Sequence, residues 1–334
     1  MSEKTNNEKE LLYGRKNEEI GRIKNILEES VVSGKTQNFK RFHKKGYGLL
    51  EGHFIIDKGL PNKLKSKLFE STEGEIGPKT YKCIIRFSHG SGKIKADNKR
   101  GTFGIAIKLL DIQMPVHEKD LHDDGTSTRL NHDFLLTTNP VLYPGTLKRF
   151  RYSMEVLFQK KIIKGIYLAL SNISTFITFN LTATKIKSLL TVTYFSGVPY
   201  RLNGKAVKWQ LKPDSKNNLL IDEKEENPAT RLLDNLRHSV NQQEWSFDFG
   251  CQFQANEKTE PIENSEIKWN GKFEKIATLI IPKQMLDESS KEAQISFNPW
   301  HCSEEHTPLG ALSEARRVIY KAMSRIRKNQ SMES

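Results

Sequence analysis

Cysteine is scarce in this chain of 334 residues. Cys83, Cys251 and Cys302 are odd in number, widely spaced and without a Cys-x-x-Cys pair. Disulfide frameworks and zinc knuckles both need paired cysteines, so neither is expected, and a reducing compartment is. The first ten residues hold no apolar run that would read as a secretory leader, which makes a cytoplasmic protein the expectation. No internal repeat or low-complexity block occurs. The longest uncharged stretch, residues 165–184, is about long enough to span a bilayer. It carries Ser171, Asn172, Ser174, Thr175, Thr178, Asn180 and Thr182, so a buried helix pair is expected there, with membrane contact the lesser alternative. Lys and Arg outnumber Asp and Glu by 53 to 40, a net charge of +13. These charges are dispersed, and no dense basic run interleaves with aromatics, so the balance predicts a solvated basic surface and not a nucleic-acid site.

Core-forming material is plentiful. Hydrophobic residues make up 36% of the chain, with 17 Phe and 9 Tyr. One large domain over residues 39–334 is expected, preceded by an arm over residues 1–38. In that arm Ile20, Ile23 and Leu27, flanked by Ile26, predict an amphipathic helix lying on the main body or on a partner. Strand patterns run over residues 46–57, 81–88, 104–110 and 133–138, bounded by Gly, Asn, Asp or Pro, and return over 191–194, 207–211, 245–254 and 275–281. Helical spacing of Leu147, Phe150, Met154 and Leu157 predicts one helix, and residues 312–327 another. The class is therefore α+β.

Several motifs carry little. Gly90-Ser91-Gly92-Lys93 lacks the leading spacing of a phosphate loop, and Ile94 follows where a hydroxyl residue should. His301, Cys302 and His306 lack a second ligand pair for zinc. His122, Asp123 and Asp124 could bind a divalent cation, but a solvated loop explains them equally well.

More informative is Lys40-Arg41-Phe42-His43, which stands just before Gly46-Tyr47-Gly48 at the opening of a strand. Next in order come Ile85-Arg86-Phe87-Ser88, Gly104-Ile105-Ala106-Ile107-Lys108 and Asn131-His132-Asp133-Phe134-Leu135-Leu136. Phe195-Ser196-Gly197-Val198-Pro199 with Asn203-Gly204, Glu244-Trp245, and Phe297-Asn298-Pro299 with Pro308 and Gly310 follow, and the series ends at Arg316, Tyr320 and Arg327. Taken together, over residues 40 to 327, these segments resemble the haem-binding core of the catalase family.

The resemblance implies an antiparallel β-barrel with surrounding helices and a buried b-type haem. His43 would be the distal acid-base residue, Asn131 the distal amide that orients peroxide, and Ser88 the hydroxyl that orients His43. Tyr320 would be the proximal tyrosinate on iron. A free phenol titrates near pH ~10 and must be helped to ionise. Arg316, four residues earlier on one helix, can give that help from the same face. Arg86 and Arg327 would pair the haem carboxylates, with Arg41 or Lys40 adding charge, and Tyr143 would lie over the haem face. The sequence departs from the pattern at Lys40, where true catalases have Arg, and in the run that follows Tyr320.

The implied activity is breakdown of hydrogen peroxide or an organic hydroperoxide, as a catalase or peroxidase. The alternatives are an isomerase or lyase of lipid hydroperoxides, of the allene oxide synthase type, and a non-enzymatic haem carrier. Phe42 stands where the allene oxide synthases have Thr before the distal His, which favours peroxide decomposition. The charged arm is of the kind that wraps a second subunit, so a homodimer is a further expectation.

Overall fold

The computed structural model describes residues 2–32, 43–70, 78–112, 114, 116, 120–121, 128–170, 183, 185–217, 227–286 and 295–332. Its centre is an eight-stranded antiparallel barrel. Strands β1 (Gly46–Ile56), β2 (Thr80–His89), β3 (Phe103–Leu109), β6 (His132–Thr137), β7 (Tyr194–Phe195), β9 (Lys205–Pro213), β10 (Trp245–Phe253) and β11 (Phe273–Ile281) make up the ring. They pair in the order β10-β11-β1-β2-β3-β6-β7-β9, and β9 pairs back onto β10 to close it. Closure removes the exposed sheet edges that an open sheet must protect. Strand β8 (Tyr200–Leu202) adds to β9 outside the ring, and β4 (Asp120–Leu121) with β5 (Thr128–Arg129) forms a separate small hairpin.

Side chains from across the ring meet in its interior. Phe54 on β1 stacks on Phe134 of β6 at 5.8 Å and packs edge-on to Phe249 of β10 at 5.0 Å, while Trp209 of β9 lies 5.6 Å from Phe249. Such ring pairs add roughly 0.5–1.5 kcal/mol each beyond the area they bury. Closing the ring needs sharp bends, and one falls at Gly250, where the β10–β11 register shifts. A Cβ there would lie 2.1 Å from the Glu274 carbonyl oxygen, so only glycine lets the strands approach.

Helices pack outside. Helix α1 (Ser2–Val32) carries the periodic patch of the arm, and Ile23, Ile26 and Leu27 are buried against Met154 and Phe158 of α2 (Leu147–Gln159) and Ala315 of the terminal helix α5 (Ala311–Met332). Glu19 and Glu155 both bond the buried Arg151, and Lys16 bonds Glu314 at 2.5 Å. Helix α3 (Ile162–Leu170) follows α2. Helix α4 (Arg231–Gln242) buries Leu232, Leu236 and Val240 against the barrel and precedes β10.

Against the sequence expectations, α4 and β8 are additional, and the strand expected over 191–194 is reduced to Tyr194–Phe195. The buried helix pair expected over residues 165–184 is corrected in part. Helix α3 ends at Leu170 and turns Ile166, Tyr167 and Leu170 to solvent, because α2 covers only its other face, while most of the remainder lies outside the described residues.

Candidate active site

The site begins with the residue before β1. His43 has a left-handed backbone, φ 53°, a conformation costly for most residues but one His adopts more readily than bulky side chains. Two side chains of β2 hold it there. The Arg86 guanidinium donates to the His43 carbonyl oxygen at 3.1 Å, and Ser88 Oγ lies 2.7 Å from His43 Nδ1. These residues are two apart in β2 and so face the same way, and Ser88 pairs with Gly46 of β1, which brings the turn carrying His43 across it.

The imidazole lies over Gly104 of β3, which pairs with Ser88. A Cβ on Gly104 would stand 2.7 Å from His43 Cε1 and 3.1 Å from Ser88 Oγ, so the ring occupies the space that a side chain would take. Burial, then the charges of Arg86, His89 and Arg316, push the His43 pKa down to about 4. His43 is therefore neutral at pH 7, as a general base must be.

Arg316 comes from α5, so that helix and the end of β2 share one electrostatic environment. Its Nη2 lies 3.5 Å from Tyr320 Oη, and the guanidinium stands 5.8 Å from the phenol ring centre. Burial alone would lower the Arg316 pKa, but Tyr320 and Tyr200 hold it above the ordinary guanidinium value. Tyr200, buried on β8, is pushed well up by burial, offset in part by Arg316. The spacing of Arg316 and Tyr320 on one helical face is thus realised as a contact.

Asn131 is not brought to His43. Leu109 pairs with His132 and Gly104 with Thr137, so Asn131 and Gly104 lie near opposite ends of the β3–β6 ladder, about 20 Å apart along it. Asn131 Oδ1 instead accepts from the Asp111 amide at 3.3 Å. The buried amide at the His43 end is Asn139, which the sequence reading passed over. Its Oδ1 accepts from the Val141 amide at 3.3 Å, and its carbonyl accepts from Thr137 Oγ1 at 3.1 Å, which fixes the turn just after β6. The one sequence signal for it is the Asn139-Pro140 pair, a turn signature at the end of a strand.

Tyr143 is half-buried at the entry to α2, with its pKa raised by burial and then by Glu266. Arg327 lies on α5, seven residues beyond Tyr320. Arg41, Lys40 and Phe42 lie outside the described residues, as do His122, Asp123 and Asp124. His301 and His306 take separate partners. His301 Nδ1 meets Asp133 at 3.1 Å, His306 Nε2 meets Ser66 Oγ at 3.0 Å, and Lys108 closes a buried ion pair on Asp133 at 2.9 Å.

Three solved structures share the fold. A bacterial catalase superposes with a TM-score of 0.63 at 15% identity, covering 86% of this chain and 57% of its own. A fungal catalase gives 0.59 at 17%, covering 86% and 59%, and catalase A from Saccharomyces cerevisiae gives 0.56 at 16%, covering 86% and 60%. The chain has a catalase-like α+β fold and spans about three fifths of the length of each. No family model matches the sequence, and no curated protein matches it.

Proposed function

We propose that the chain binds one b-type haem through Tyr320 and decomposes hydrogen peroxide or an organic hydroperoxide. The observation that carries this reading is the pairing of two half-sites on one barrel. A neutral imidazole is anchored to Ser88 over Gly104, and a phenol on α5 has a guanidinium beside its oxygen.

The donor set fits haem. A phenol becomes a metal ligand only as phenolate, and a cation held near Tyr320 Oη stabilises that form. Arg327, two helical turns further on, and Arg86 are the cations to pair the haem carboxylates. A haem held there would supply the redox-active iron needed for cleavage of the O–O bond.

The chain's own part is proton handling. With Nδ1–H donated to Ser88 Oγ, His43 Nε2 is left unprotonated. It takes the proton from the hydroperoxide O–H and returns it to the departing oxygen, so that water or an alcohol leaves and not a hydroxide or alkoxide. Arg86 and Ser88 keep the imidazole in place for both transfers.

The test is to purify the full chain with haem supplied, record absorption spectra of wild type, Tyr320→Phe and His43→Ala, and measure oxygen release from hydrogen peroxide. A high-spin ferric tyrosinate spectrum lost in Tyr320→Phe, with turnover falling about 100-fold or more in His43→Ala, is the expected result. Haem bound without oxygen release would redirect the assignment to donor oxidation or lipid hydroperoxides. Failure to take up haem would overturn it.

A further inference from the structure

Helix α3 turns its apolar face outward. Seven large apolar side chains are exposed among the described residues, and four of them belong to this nine-residue helix. Ile163 is 83% exposed, Ile166 55%, Tyr167 46% and Leu170 67%. Their spacing of i, i+3, i+4 and i+7 makes them one continuous stripe. The other face is already occupied by α2. Gly165 abuts Val156 and Lys164 bonds Glu155, while Tyr167, at the edge of the stripe, keeps one side of its ring 5.4 Å from Tyr152 of α2. The stripe therefore has no room to turn inward, and a clustered apolar surface of this kind marks a binding face.

The charge around it selects the occupant. Lys160 and Lys161, at the α2–α3 joint, are exposed, and so is Lys148 of α2, whose Nζ lies 6.0 Å from the Tyr152 ring that Tyr167 meets. No charged residue stands between Lys164 and Lys185, so the sequence after the stripe stays uncharged. We infer that α3 docks on an anionic lipid surface, with Ile163, Ile166, Tyr167 and Leu170 entering the headgroup–acyl boundary and Lys160 and Lys161 meeting the negative headgroups. This is the arrangement of an interfacial helix, apolar on one side and basic at its margin. No helix among the described residues is long and apolar enough to cross a membrane. The inference stands apart from the haem reading, since lipid binding is measured without peroxide.

The experiment is flotation of the full chain with vesicles of phosphatidylcholine alone and of phosphatidylcholine mixed with phosphatidylglycerol. It compares wild type, Ile163→Glu/Leu170→Glu and Lys160→Glu/Lys161→Glu, with far-ultraviolet melts to show that each variant folds. Wild type should bind the anionic vesicles and not the neutral ones, and both variants should weaken binding at least tenfold. In Tyr167→Trp, the indole emission should move to shorter wavelength on adding anionic vesicles. No binding to anionic vesicles, binding unchanged by Ile163→Glu/Leu170→Glu, or an unshifted indole would each overturn the inference. A wild-type dimer that the same double variant converts to monomer would overturn it in favour of self-association.

Discussion

At the scale of single residues, the site depends on one imidazole being held in an uncomfortable backbone conformation. Ser88→Ala removes the 2.7 Å partner of His43 Nδ1 while leaving the backbone pairing of β2 in place. The expected loss is about 10- to 100-fold in kcat/KM for peroxide, the size typical of a hydrogen bond that orients a reacting group, with little change in the melting temperature. Gly104→Ala should go further, because its methyl would enter the 2.7 Å gap beneath the ring and move the base itself. Steady-state kinetics on both variants decide the matter, and a Gly104→Ala enzyme with wild-type turnover would count against His43 as the base. Much of this group was legible in the sequence. His43, Arg86 and Ser88 came with the resemblance to the catalase family, whereas Arg316 four residues before Tyr320 is a local pattern with its own physical reading. The position of Asn131 relative to His43 was not legible, because it depends on register. Which end of β6 faces Ser88 is set by pairing with β3, and single-sequence reading has no access to pairing partners.

At the scale of elements, α5 is a two-sided helix. Leu312 joins the barrel core, and Ala315, Val318, Ile319 and Ala322 pack with α1 and α2, while Arg316 reaches the charge environment of His43. Helix α1 therefore braces the helix that bears Tyr320. Leu27→Ala leaves a void in this outer cluster, a change that costs about 2–5 kcal/mol in a buried setting. Because the cluster is separate from the barrel core, the cost should fall on α1 docking. Limited proteolysis should cut α1 faster in the variant while the barrel strands stay protected, and equal cleavage rates would refute the bracing role. The regular elements were largely readable from periodicity, the barrel strands from alternation and α2 and α5 from helical spacing. Helix α4 was passed over although Leu232, Leu236 and Val240 keep a four-residue spacing, and α3 was expected to be buried. Apolar content alone cannot tell a face turned to a core from one turned to a surface.

At the scale of the whole molecule, the barrel stores several neutral histidines. Burial, reinforced by nearby positive charge for the first two, lowers the pKa of His43 to about 4 and that of His132 well below its ordinary value, and burial alone takes His306 to about 3. An unfolded chain protonates its histidines near pH ~6.5, so below that pH the unfolded state holds more protons than the folded one. Stability is thus full above pH ~6.5 and falls as the pH drops toward 4 and then 3, with a slope of up to about 4 kcal/mol per pH unit for three such groups. Denaturant titrations across pH 7 to 4 should show this decline, and His306→Gln should make it shallower by one proton. A flat profile would contradict the buried neutral state. The ring closure has another consequence, in time. Strand β1 pairs with β11 through His53 and Ile280, partners separated by most of the chain, so the first strand must wait for nearly the last before its second edge is satisfied. During synthesis β1 and β2 can form only an open, adhesive sheet until residue 281 has left the ribosome. The chain should consequently fold slowly and late, and lean on chaperones while it waits.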